Sequence, residues 1–215
     1  MEWLRRLVRH DAREPANEAA RWVVVDTETT GIDPARDALV AIGGVAIAAD
    51  GIRAADSFEI VVQHTGPTDA ENIVIHGLGR QTLEAGVPAA EALRAFRAWV
   101  DGAPCCAFHV DFDRRVLDRA ASRAGVPALA GPWLDVEPLC AALRPDALPG
   151  GTRTLDEWLA VCGLACPGRH NAARDALATA ELLLYVRALA ARQRTVGFAA
   201  LASLQRQPRW LGARR

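Results

Sequence analysis

The alternation of apolar and polar positions divides the chain into short apolar runs followed by helical repeats. Trp22-Val23-Val24-Val25 is a β-branched run that ends in acidic and threonine residues, which reads as a buried strand. A second apolar run covers residues 37–48 (DALVAIGGVAIA) and a third covers 57–63 (SFEIVVQ). The turn pair Asp50-Gly51 between them predicts a hairpin or meander. From Gly79 the spacing becomes helical, over 79–86 and again over 88–100. In the second stretch Pro88 stands near the start, and Leu93, Phe96, Trp99 and Val100 recur at three- and four-residue intervals. Residues 105–109 (CCAFH) predict a short strand, and 113–124 a helix stopped by Gly125 and Pro127. Residues 133–136 (WLDV) predict a last strand, followed by two or three helices, of which the final long one covers 171–191. This order describes an α/β sandwich whose sheet begins antiparallel and ends parallel.

Length and composition narrow the picture. The chain has 215 residues, 51% apolar and 24% charged, which suits one compact domain and excludes a disordered chain. No charge-free apolar run is long enough to span a bilayer. Residues 1–20 predict an amphipathic extension with Trp3, Leu4, Leu7 and Val8 on one side, and they lack a signal-peptide core. Residues 21–192 then form the domain, and 193–215 a basic C-terminal tail. Five cysteines in mostly apolar surroundings fit a reducing, cytoplasmic setting better than a disulfide scaffold. The formal charge is -1, and all 25 basic residues are arginine, so chemistry that needs a lysine is closed to this chain.

Candidate chemistry lies in the acids. In VVVDTETTG (23–31), Asp26 and Glu28 stand two residues apart in an extended run and share a face. Two carboxylates at the end of a buried strand repel unless a cation or proton neutralises them, and Mg²⁺ or Mn²⁺ favours such oxygens. The plainer alternative makes Asp26 a turn cap and Glu28 a solvated residue. Asp113, in FHVDFDRRVLDRA (108–120), falls at the mouth of a helix, where it serves either as an N-cap or as a further ligand facing the first strand. Asp175 follows His170 by five residues in RHNAARDALATAELL (169–183), so both can border one cleft.

Taken together, Asp26-x-Glu28, the FDxxVL around Asp113, and His170-x4-Asp175 resemble the three exonuclease motifs of the DEDD superfamily. The histidine five residues before the last aspartate is like that of the DEDDh (DnaQ-like) branch, which includes the proofreading epsilon subunit of bacterial DNA polymerase III. IVIHGL (73–78) and WLDVEPLC (133–140) also look like segments of that family. The resemblance covers about residues 21–190. Val110 stands where many members carry asparagine, and His109 is one residue nearer to Asp113 than in the usual second motif.

The resemblance implies a ribonuclease H-like fold, a central five-stranded mixed sheet flanked by helices. It implies two Mg²⁺ (or Mn²⁺) ions held by Asp26, Glu28, Asp113 and Asp175, with His170 as general base. Histidine is the residue type that exchanges a proton near neutrality. The reaction implied is 3′→5′ hydrolysis of phosphodiester bonds in DNA, in proofreading or repair, with release of nucleoside 5′-monophosphates. Substrate contacts would come from Thr27, Thr29, Thr30, His76 and Phe112. Implied partners are single-stranded or frayed 3′ ends of DNA and a DNA polymerase subunit, with no membrane. The alternatives are an RNA-trimming exoribonuclease of the same superfamily and a non-catalytic subunit that binds a polymerase; the intact acids and histidine argue against the latter.

Other classes fit less well. A haloacid-dehalogenase-type phosphatase and a Walker-A ATPase both need a lysine. Ser57, Ser122 and Ser203 lack a nucleophile elbow. Cys162, Cys166 and His170 offer three zinc-type ligands with no clear fourth, so packing cysteines are expected there. Finally, residues 1–181 hold all 26 acids and 18 arginines, whereas 182–215 hold seven arginines and no acid. The near-neutral total hides a cationic C-terminal segment suited to a phosphate backbone, or simply a solvated one.

Overall fold

β1 (Arg21–Thr29) lies at the middle of the sheet, and its sequence explains why. Trp22 and Val24 are buried towards one face while Val23 and Val25 are buried towards the other, so both faces must be covered. The computed structural model describes residues 21–66, 77–147 and 153–206. Within them β2 (Leu39–Ala48) and β3 (Gly51–Val61) extend the sheet antiparallel, and β4 (Cys105–Ala107) and β5 (Trp133–Asp135) extend it parallel. The strand order is β3-β2-β1-β4-β5, the five-stranded mixed sheet that the sequence predicts.

Helices cover both faces. α1 (Arg80–Glu84) is short; α2 (Ala89–Val100) and α3 (Val110–Ala124) close one face through Phe96, Val100, Val116 and Leu117, packed on Val23, Val25 and Ile42. The other face carries α4 (Val136–Leu143), α5 (Leu155–Val161), the long α6 (Ala172–Arg192) and α7 (Phe198–Gln205). There Leu182, Leu183, Val186 and Trp158 pack on Trp22, Val24 and Ile47. No helix among the described residues is long and apolar enough to cross a membrane.

Several boundaries differ from the sequence reading. β1 runs past Val25 through Glu28, which still pairs with Ala41 of β2, so both acids lie on the strand, as their alternation requires. β3 begins at Gly51, since the hairpin closes through Ala49 and Asp50 with Ala48 opposite Gly51. The fourth strand stops at Ala107, and α3 starts at Val110, which leaves His109 rather than Asp113 at the N-cap. The packed unit also runs past residue 192: Phe198, Leu201 and Ala202 are buried in the core, where a tail is predicted. An apolar stretch flanked by arginines packs when a matching surface is within reach. The predicted N-terminal helix, the segment with His76 and residues 207–215 lie outside the described residues.

Candidate active site

The site forms where α6 crosses β1 and β2. Gly43 of β2 pairs with Asp26, and a Cβ on it would come within 2.1–2.3 Å of the Ala172 and Ala173 backbone. Only a residue without a side chain lets the first turn of α6 rest there. That contact brings Asp175, in the first turn, over the acids of β1. Asp26, Glu28 and Asp175 each present a carboxylate oxygen, and these oxygens lie within 4.8 Å of one another. Asp175 is 5% exposed, whereas the two strand acids are half-buried.

Asp113 belongs to the same neighbourhood through a different layer. It is 3% exposed on α3, and its Oδ1 accepts a hydrogen bond from the Thr27 hydroxyl at 2.8 Å. Thr27 alternates with Asp26 and Glu28 along β1, so the strand holds Asp113 with one residue while presenting its own acids with the residues on either side. The turn that leads into α3 is held by Asp135. Its Oδ1 accepts from the backbone N–H of His109 at 3.0 Å and of Glu137 at 3.1 Å.

His170 is exposed and left-handed, with φ 64°, an uncommon backbone for a residue with a side chain. That turn aims its own N–H at the Asp175 Oδ2, at 3.1 Å. Neighbours on both sides fasten it. Arg169 donates from Nε to Asp156 of α5 at 2.6 Å and also pairs with Asp175. Asn171 caps α6 by accepting from the Arg174 N–H, and its amide donates to Glu59 of β3 at 3.1 Å.

The charges explain the electrostatics. Burial pushes the Asp26 carboxyl well above its ordinary range, and the negative charges of Asp113, Glu28 and Asp175 push it further; Arg169 pulls it down. Burial, with help from Asp175 and Asp113, raises Glu28 to about 7 against the pull of Arg169. Burial likewise raises Asp113 to about 7, although the Thr27 hydrogen bond favours its charged form. Acids this close cannot all stay ionised unaided. Hard divalent cations bind carboxylate oxygens and remove that repulsion, so the donor set fits Mg²⁺ or Mn²⁺.

The remaining predicted contacts are more internal. Thr29 donates its hydroxyl to the Gly31 carbonyl, and the Thr30 hydroxyl accepts from the Ala38 N–H at 2.9 Å. Phe112 is half-buried against the α2–α3 core. His76 lies outside the described residues. Cys162 is buried in the core, and Cys166 turns its Sγ to the Arg174 carbonyl at 3.6 Å and to Asp175 at 3.8 Å. Neither joins the acidic group.

Four further residues of this region are not apparent from the motifs. Gly43 and Arg169 carried no signal beyond a GG pair and a basic neighbour of His170. Asp135 was visible only as part of WLDVEPLC. Ile32, 90% exposed just beyond the threonines, is detectable as an apolar residue in a polar loop.

Comparisons with known proteins identify the family and the fold. A family model described as exonuclease matches residues 23–183. A DNA polymerase III subunit epsilon-like protein of Rhodobacter capsulatus is 32% identical over 192 residues, covering 87% of this chain and 27% of that protein. A PolC-type DNA polymerase III of Thermotoga petrophila is 27% identical over 178 residues, covering 83% of this chain and 13% of its own length. The chain thus spans about a quarter or less of these relatives. Among solved structures, Escherichia coli exonuclease I in complex with a dT13 oligonucleotide matches with a TM-score of 0.68 at 17% identity, over 82% of this chain and 43% of that one. Exonuclease X in complex with 5′ overhanging duplex DNA matches with a TM-score of 0.66 at 19% identity, over 86% and 99%. At these identities the two structures speak for the fold, a ribonuclease H-like exonuclease architecture.

Proposed function

The chain belongs to the exonuclease family, and we propose that it is a metal-dependent 3′→5′ exonuclease that shortens DNA from its 3′ end and releases nucleoside 5′-monophosphates. The observation that carries this reading is the convergence of Asp26, Glu28 and Asp175 within 4.8 Å, with Asp113 alongside and His170 tethered to Asp175. In it Asp26, Glu28, Asp113 and Asp175 hold two divalent cations. Bound there, such ions supply charge neutralisation for a scissile phosphate and a more acidic water. The chain's own groups do the rest. The exposed His170 imidazole takes the proton of the attacking water at a ring nitrogen, while its backbone bond to Asp175 ties the residue's main chain to the acidic group. Thr27 orients Asp113 and favours its charged, accepting form against the burial that raises it. The exposed Ile32 side chain offers an apolar platform for an unstacked terminal base.

DNA as substrate is supported by the polymerase relatives and by the oligonucleotide and duplex bound in the two solved structures. The same relatives support a replicative polymerase as partner, with proofreading or repair as the setting. Digestion of 5′-labelled single-stranded DNA, mismatched primer–template and short RNA, side by side with Mg²⁺ or Mn²⁺, tests the reading. Stepwise shortening of the labelled DNA is expected. Faster loss of RNA would reassign the substrate, and no shortening of any of the three would refute the exonuclease reading.

A further inference from the structure

Residues 162–171 join α5 to α6 and carry His170, yet they form no regular structure beyond bends and turns. Gly163, Gly168 and His170 all have positive φ, so the path reverses its twist three times before α6 begins. Such a segment keeps one shape only if side chains fasten it. Arg169 does so from within: its Nε meets Asp156 at 2.6 Å in the first turn of α5, and the same guanidinium pairs with Asp175. The second arm reaches a carboxylate of the acidic group, and its charge is felt by Asp26 and Glu28 as well. A positive charge so placed repels any further cation that approaches those oxygens. A planar fork with several donors can serve two carboxylates in this way, which an ammonium cannot do at the same span.

We propose that Arg169 is a positioning residue with a double effect. Its guanidinium locks the His170 segment between Asp156 and Asp175, and its charge weakens the grip of the acidic group on divalent cations. The site thus gives up metal affinity for a fixed base. This inference rests on the metal-dependent reading above.

The test compares wild type, R169M, R169K and D156N by calorimetric titration of the purified protein with Mn²⁺ and by single-turnover digestion of single-stranded DNA at saturating Mn²⁺. R169M is expected to bind Mn²⁺ about tenfold more tightly and to turn over at least about tenfold more slowly. D156N, which keeps the charge beside Asp175, is expected to hold the wild-type Mn²⁺ affinity and still lose rate. R169K is expected to keep near-wild-type affinity without recovering the rate. Unchanged or weaker Mn²⁺ binding by R169M would overturn the charge effect. Wild-type rates in both R169M and D156N would overturn the positioning role. Should R169M fail to fold, R169K and D156N decide: wild-type rates in both overturn the proposal. Absence of Mn²⁺ binding by the wild type would instead defeat the metal reading itself.

Discussion

Gly43 and Ala172 meet backbone to backbone: a Cβ on Gly43 would stand 2.1 Å from the Ala172 carbonyl carbon. Because Gly43 is also the partner of Asp26 across the β1–β2 ladder, this one contact sets the height of α6 above the acids. Neither backbone is free to give way, since one lies in a sheet and the other opens a long helix.

Gly43→Ala is therefore expected to lift or shift the start of α6. Overpacking of this kind costs about 1–3 kcal/mol, which denaturant unfolding would register. Asp175 would move with the helix, so Mn²⁺ affinity is expected to fall more than stability alone explains. Gly44→Ala serves as the comparison: its Cβ would meet the Trp99 ring rather than α6, so it is expected to lower stability and spare metal binding.

Without added metal, stability is expected to decline as pH rises from about 4.5 to about 7. Glu28 is raised from 4.5 to about 7 and Asp113 from 3.8 to about 7, so within that window the folded chain holds protons the unfolded chain has released. Stability then falls with pH until both groups are ionised. Thermal unfolding in chelator across this range checks the direction. Excess Mn²⁺ should flatten the decline, and titration in buffers of different ionisation enthalpy should show protons released on Mn²⁺ binding at the acid end.

Asp26→Asn is expected to separate stability from activity. It removes the charge most crowded by its neighbours, so the metal-free protein should unfold at a higher temperature than wild type at about pH 8. DNA digestion should drop to background in the same protein. A variant that kept wild-type digestion would defeat the assignment of Asp26.

His170→Ala is expected to leave Mn²⁺ affinity near wild type, because its bond to Asp175 is made by the backbone N–H and survives the substitution. Turnover should fall by about 10²–10⁴-fold, the usual loss on removing a general base. Single-turnover kinetics with saturating metal measure this directly.

Thr27→Val should act on Asp113 alone. The lost hydrogen bond favoured the charged carboxyl, so Asp113 would rise further and Mn²⁺ binding would require a higher pH than in wild type. Binding curves that coincide at all pH values would show that Thr27 plays no such part.

The order of strands and helices, the mixed sheet and the spacing of the acids were legible in the sequence alone. Each follows from a local rule: β-branched runs bury both faces, alternation puts Asp26 and Glu28 on one side, and helical periodicity marks the cover. Element ends were less legible, because β1 continues past Val25 only through its pairing with β2, and His109 caps α3 only because Asp135, from β5, holds its N–H. The convergence of the acids was decided by tertiary contacts. Asp175 meets Asp26 because a glycine 132 positions earlier admits α6, and Asp113 is oriented by a threonine 86 residues away. Arg169 gained its importance only when folding set Asp156 and Asp175 on either side of it. Sequence pattern thus determines which residues can be buried together. Which of them touch depends on backbone approach and side-chain fastening between segments far apart in the chain.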